Sequence, residues 1–265
     1  MPRRVSIIPG PIFSLPPGAP EHAVARRWEV PGLSPRRVRV HLPSTFDGRT
    51  PRPVLYMFDG QNVFGDEGSY SGGWHVDRSV DRMAVRSRGV SPIVVAVDHG
   101  GEARLDELSA FHDGKRGGKA EALLAWMIEA LMPAVSRSFP IVPPPYGAAV
   151  AGSSMGGLCA LYAHFRHPQS FGGAIAMSPS LWFARRAVFD FVASRPKPTP
   201  SRVYLDCGAL EAGGRMLTMV QSMNRHLHAR GWDDDHLLFV GDPRGGHDER
   251  SWSRRFPKAL RFMYR

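Results

Sequence analysis

The amino-acid sequence predicts an α/β fold in a single domain, with a mostly parallel central sheet covered by helices on both faces. Three observations predict it. Val54–Phe58 and Ile93–Val97 are apolar at every position, as expected of strands buried on both sides. Segments with apolar residues at helical spacing alternate with such runs along the chain. Between one of these strands and one of these helices lies Gly152-Ser153-Ser154-Met155-Gly156, a strand, G-x-S-x-G, helix arrangement.

Taken in order, residues 1–35 read as an irregular proline- and glycine-rich lead-in that includes a first strand at Val24–Val30, and residues 36–265 as the folded domain. Val38–Leu42 alternates apolar and polar residues, which suits a half-exposed edge strand. Val54–Phe58 follows and ends in Asp59-Gly60-Gln61-Asn62. A glycine-rich loop carries Trp74 and His75, and Val76–Arg86 reads as a helix. Ile93–Val97 ends in Asp98-His99-Gly100-Gly101. Residues 120–135 place Leu123, Leu124, Met127, Ile128, Leu131 and Met132 at helical spacing, so this is an amphipathic covering helix. The strand Ala148–Ala151 enters the G-x-S-x-G turn, and Leu158, Leu161 and Tyr162 continue as a helix. Beyond it, Phe171–Met177, residues 202–206 and His236–Val240 read as strands. Residues 216–229 and 252–263 read as helices. No repeat or linker divides the chain.

The glycines of the turn have a chemical reason. A serine on a sharp strand-to-helix turn sits in strained backbone, and its neighbours two positions away must lack side chains. The turn lifts the Ser154 hydroxyl clear of the sheet, to a helix N-terminus where the Met155 N–H can meet an oxyanion. A hydroxyl is a poor nucleophile until a base takes its proton, so a histidine and an orienting carboxylate are required. In this strand order they follow the serine, carboxylate first. His247, in Gly245-Gly246-His247-Asp248, follows the last strand and is the histidine that fits. His164, His167, His226, His228 and His236 read as surface or packing residues, while His99 and His75 precede the serine. Two carboxylates, Asp206 and Glu211, follow the strand at 202–206. Glu211 is preferred because its loop has room to reach across, whereas Asp206 ends the strand, where a side chain more often caps its own turn. Asp248 reads as a helix cap. The second oxyanion donor is expected from the loop after Val54–Phe58, as the N–H of Gln61. Trp74, His75, Trp182 and Phe183 are candidate pocket residues.

Composition narrows the field. The formal charge is +10, yet only four of the 34 basic residues are lysine and the arginines are spread along the chain, in pairs at most and never in runs. A nucleic-acid footprint would be clustered or carry a motif, so no nucleic-acid partner is expected. Cys159 and Cys207 make no disulfide framework and read as buried fillers. There is no run of apolar residues long enough for a membrane span and no apolar stretch typical of a secretory leader, so a cytoplasmic protein is expected. The sequence has no H-E-x-x-H, C-x-x-C, G-x-G-x-x-G or P-loop, so neither metal nor cofactor is expected.

Four stretches together carry a family resemblance. Val54-Leu55-Tyr56-Met57-Phe58-Asp59-Gly60-Gln61-Asn62-Val63-Phe64, Gly152-Ser153-Ser154-Met155-Gly156-Gly157, Met177-Ser178-Pro179-Ser180-Leu181-Trp182 and Gly245-Gly246-His247 resemble the putative-esterase group of the α/β-hydrolases. That group includes enterochelin (siderophore) esterases, feruloyl esterases, S-formylglutathione hydrolase and the mycolyltransferases. The resemblance covers about residues 36–264. It implies an α/β-hydrolase fold, Ser154 as nucleophile, His247 as base, Met155 and Gln61 as oxyanion donors, and the acid at the Glu211 position. The expected activity is a cofactor-independent serine esterase acting on a small-molecule ester through an acyl-enzyme. Acyl transfer to an alcohol, and a binding protein on the same fold with an inactive site, are the alternatives.

Overall fold

The computed structural model describes residues 26–66, 69, 72–86 and 91–265. The expected lead-in therefore falls outside the described residues up to Ala25. Its strand is seen as β1 (Arg26–Val30), which turns at Pro31-Gly32 into β2 (Leu33–His41). The chain continues through β3 (Val54–Phe58), α1 (Val76–Arg86), β4 (Ile93–Val97) and α2 (Arg104–Glu107). A small hairpin of β5 (His112–Asp113) and β6 (Arg116–Gly117) precedes α3 (Ala120–Trp126) and α4 (Met132–Ser138), which are joined by a π-turn. Then come β7 (Ala148–Ser153), α5 (Met155–Arg166), β8 (Gly173–Met177), α6 (Phe183–Ala193), β9 (Arg202–Gly208), α7 (Arg215–His228), β10 (Leu237–Asp242) and α8 (Glu249–Met263).

Eight strands form one sheet in the order β1-β2-β4-β3-β7-β8-β9-β10. β1/β2 and β2/β4 are antiparallel, and every other pairing is parallel. β2 is thus an interior strand and not the edge that its alternation suggested. The alternation arises because β1 folds back on β2 as a two-stranded extension with one face toward solvent.

Parallel strands need covering on both sides, and their period of two divides the apolar side chains between two layers. Tyr56, Phe58, Val95 and Val150 face one core together with Leu124, Leu158, Val188 and Met223 from the helices α3, α5, α6 and α7. Leu55, Met57, Val94 and Ala151 face the other, closed by Val80 of α1 and by Trp252, Phe256 and Leu260 of α8. No described helix is long and apolar enough to cross a membrane.

Candidate active site

The loops that leave the C-terminal ends of the parallel strands converge on Ser154. Ser154 itself has φ 55° and ψ −120°, between β7 and the first residue of α5. The sharpness of this turn brings Gly152 against Gly156: a Cβ on Gly152 would lie 2.5 Å from the Gly156 carbonyl carbon, so no larger residue fits. A Cβ on Gly156 would in turn lie 3.0 Å from Asp59 Oδ2. Asp59 ends β3 with φ 55°, and Ser178 follows β8 with φ 41°. Each non-glycine residue in this region costs about 1–2 kcal/mol, which the packed strand ends must absorb.

The structure brings three of the sequence-predicted residues into one hydrogen-bonded chain. The Ser154 hydroxyl lies 2.9 Å from His247 Nε2, and His247 Nδ1 lies 2.7 Å from Glu211 Oε2. An ionised carboxylate only accepts, so Nδ1 carries the proton and Nε2 is left to accept from Ser154. Ser180 Oγ stands 3.2 Å from Ser154 Oγ. β9 runs on to Gly208, so Glu211 sits just past the strand end at the start of a short 3-10 turn. Its Oε1 accepts from the Ser178 hydroxyl at 2.6 Å and the Gly208 N–H at 2.7 Å. Burial alone would raise the Glu211 carboxyl, but hydrogen bonds from His247, Ser178 and Gly208 outweigh it and hold it below the usual carboxylate range.

Asp206, the competing carboxylate, does not fold back onto its own turn. It is fully buried and pairs with Arg255, whose Nε lies 3.1 Å from its Oδ2, and it also accepts from Ser178 N–H and Tyr204 Oη. Burial pushes its carboxyl up to about 6 against the pull of Arg255. Asp248 caps α8 by accepting from Ser251 N–H at 2.8 Å.

A cavity of about 340 Å³ opens beside Ser154, lined among others by Gln61, Asn62, His99, Arg104, His247 and Trp252. Gln61 is in a 3-10 turn after β3, and its side-chain Oε1 accepts from His99 N–H at 3.3 Å. Met155, the other expected oxyanion donor, is the first residue of α5. Arg104 makes a two-pronged bond to Asp59, Nε to Oδ1 at 2.6 Å and Nη2 to Oδ2 at 2.8 Å. Burial works against the Arg104 charge, but Asp59 more than compensates and leaves its pKa raised. Asp59 thereby fixes Arg104 as a charged wall of the cavity. Glu249 lies on the same wall and accepts from Asn62 Nδ2 at 3.1 Å.

The aromatic pocket candidates lie elsewhere. Trp74 is buried and packs on Trp252 and Phe256, with ring centroids 5.7 and 6.0 Å away. His75 approaches Asp66, Phe183 is buried in the core, and Trp182 is 49% exposed before α6. None of these four is among the residues lining the cavity. The tryptophan that reaches the site is Trp252. Its ring meets His247 edge-on at 5.1 Å, and its Nε1 donates to Ser178 Oγ at 3.0 Å. Trp252 and Arg255 lie three positions apart on α8, a spacing that could have marked them as one helix face, but nothing local ties that face to the serine.

Among the described residues no group of histidine, cysteine, aspartate and glutamate could hold a metal ion. The family model described as putative esterase matches residues 33–263. The siderophore triacetylfusarinine C esterase of Aspergillus fumigatus is 30% identical over 159 residues, which is 54% of this chain and 49% of that protein. The iron(III) enterobactin esterase of Dickeya dadantii is 25% identical over 250 residues, 90% of this chain and 54% of that protein. The chain therefore spans about half the length of these two relatives. Among solved structures, the siderophore hydrolase EstA of Aspergillus nidulans superposes with a TM-score of 0.74 over 96% of this chain and 99% of its own, at 19% identity. At that identity the likeness is one of fold, and the fold is that of the esterase α/β-hydrolases.

Proposed function

Since the chain belongs to the putative-esterase family of hydrolases acting on ester bonds, we propose that it is a serine esterase in which Ser154, His247 and Glu211 act as nucleophile, base and orienting acid. The observation that carries this reading is the unbroken hydrogen-bonded chain from the Ser154 hydroxyl through His247 to the buried Glu211 carboxylate. Ser154 Oγ attacks the carbonyl carbon of the ester while His247 Nε2 takes its proton. The tetrahedral oxyanion is received by the backbone N–H groups of Met155 and Gln61, the first at the positive end of α5. Collapse breaks the bond to the alkoxide, which leaves with the proton held by His247. Water, activated by the same imidazole, then attacks the acyl-enzyme and frees Ser154.

The substrate is a small-molecule ester of a size set by the cavity beside Ser154. The names of the relatives make siderophore esters the first class to assay, beside activated esters of graded chain length. Hydrolysis of p-nitrophenyl esters by the purified protein, lost in Ser154→Ala without loss of folding, tests the reading. Equal rates in parent and variant would refute it.

A further inference from the structure

We propose that Ser178 is a positioning residue for this reaction, its hydroxyl locked by Trp252 and Arg255 so that it donates to Glu211 and holds that carboxylate facing His247. The inference rests on the roles just proposed for Ser154, His247 and Glu211. It follows from counting protons. A serine hydroxyl has one proton and two lone pairs. Trp252 Nε1 at 3.0 Å and Arg255 Nη2 at 2.8 Å can only donate, and together they fill both lone pairs of Ser178 Oγ. The single hydroxyl proton is then directed at its remaining partner, Glu211 Oε1, at 2.6 Å. With the Gly208 N–H on the same oxygen, Oε1 is satisfied and Oε2 is left for His247.

The charges support the same reading. Arg255 is a buried cation between two buried carboxylates: its Nη2 lies 3.1 Å from Asp206 Oδ1 and 3.6 Å from Glu211 Oε1. Asp206 holds it through two contacts, and Tyr204 and the Ser178 N–H complete the Asp206 shell. With Arg255 matched by Asp206, the charge of Glu211 is not spent, and a proton arriving on His247 makes the cluster neutral. Ser178 is thus the hinge of the relay, touching Glu211, Trp252, Arg255 and Asp206. Its positive φ of 41° turns the side chain into that position directly after β8.

Ser178→Ala and Ser178→Gly test it, since both remove the hydroxyl while glycine also relieves the positive φ. Each should lose about ten- to hundredfold in kcat with KM held within about twofold, the scale of one hydrogen bond to a charged group. Combined with Glu211→Gln, neither should add further loss, because Ser178 acts only through that carboxylate. The downfield proton resonance of His247 Nδ1 should shift or vanish in Ser178→Ala. If kcat per folded molecule stays within about twofold in both variants, or if the losses multiply with that of Glu211→Gln, the inference is overturned. A fall in Tm alone, larger for alanine than for glycine, would assign Ser178 a structural role instead. Should Ser154→Ala and Glu211→Gln themselves keep the parent rate, the nucleophile and acid assignments fail, and the role of Ser178 falls with them.

Discussion

Two serine–histidine chains stand at opposite ends of the same sheet. At the C-terminal ends of the strands, Ser154 meets His247, and His247 meets the Glu211 carboxylate. At the other end, Ser201 Oγ lies 2.8 Å from His164 Nε2, and His164 Nδ1 lies 2.8 Å from the Phe171 carbonyl oxygen. The two chains are matched in length, and the tautomer is the same because a carbonyl, like a carboxylate, can only accept. The chemistry is not. A carbonyl brings no charge to stabilise an imidazolium, and His164 has no exposed surface. Burial pushes it down to about 4, so it stays neutral and serves as a core bracket. Ser201 is also occupied as an acceptor by Trp232 Nε1 and is buried. What separates a candidate base from a packing histidine is the charge of its acceptor and the access of its serine, not the hydrogen-bond geometry.

Backbone strain divides the two ends in the same way. Among the described residues, the non-glycine positions with positive φ are Asp59, His75, Ser154, Ser178, Ala184, Arg185, Arg186 and Ala212. Ala184, Arg185 and Arg186 kink the first turn of α6, and the others follow the C-terminal ends of β3, β7, β8 and β9. Cavity size points the other way: a cavity of about 470 Å³ lies at the N-terminal edge, between Tyr146, Arg202 and Tyr264, against about 340 Å³ beside Ser154. Strain and a charged acceptor mark the site better than volume does.

The comparison can be broken by exchanging like for like at the two ends. Ser154→Ala should lower kcat by at least about 10⁴-fold with Tm unchanged, whereas Ser201→Ala should leave kcat within about twofold and lower Tm. Steady-state assays and thermal melts on both would expose an error in either assignment. Glu211→Gln comes next, with a loss of about 10³–10⁴-fold that appears in kcat and spares KM. Asp206→Asn should act first on stability. It leaves the Arg255 charge buried without its closest carboxylate and should cost about 3–5 kcal/mol in denaturant unfolding. An unchanged unfolding midpoint would contradict the pairing.

His164 sharpens the contrast through pH. Its folded pKa is depressed, so the unfolded chain binds the extra proton first, and stability present above about 6.5 is lost as pH falls toward about 4. The share lost is on the order of 3 kcal/mol. His164→Gln should be less stable at neutral pH but show a flatter dependence across that window in unfolding titrations. An unaltered slope would mean that His164 is not the group responsible. The smallest effect is expected from Tyr146→Ala at the rim of the larger cavity, where a side chain 79% exposed should leave kcat/KM within about twofold.

Much of this was legible in the sequence where the determinants are local. The Ser154 turn is marked by glycines within two positions, and the strands that feed it by unbroken apolar runs. His247 could be picked by its place after the last strand, and Glu211 by the room its loop affords. Ser178, Trp252 and Arg255 were not legible in these roles, because their contacts join positions 33 to 77 residues apart. The alternation of β2 could not reveal that β1 would cover its outer side. Trp74, in its glycine-rich loop, reads from the sequence as a pocket residue. Its indole is instead drawn into the layer under α8, where Trp252 and Phe256 bury it.

Covalent labelling tests the central claim most directly. A fluorophosphonate incubated with the folded protein, followed by proteolysis and peptide mass spectrometry, should mark one residue, Ser154. Labelling should disappear in Ser154→Ala and after denaturation, and should slow sharply in His247→Ala. Modification at another residue, or no modification of the folded protein, would contradict Ser154 as an activated nucleophile.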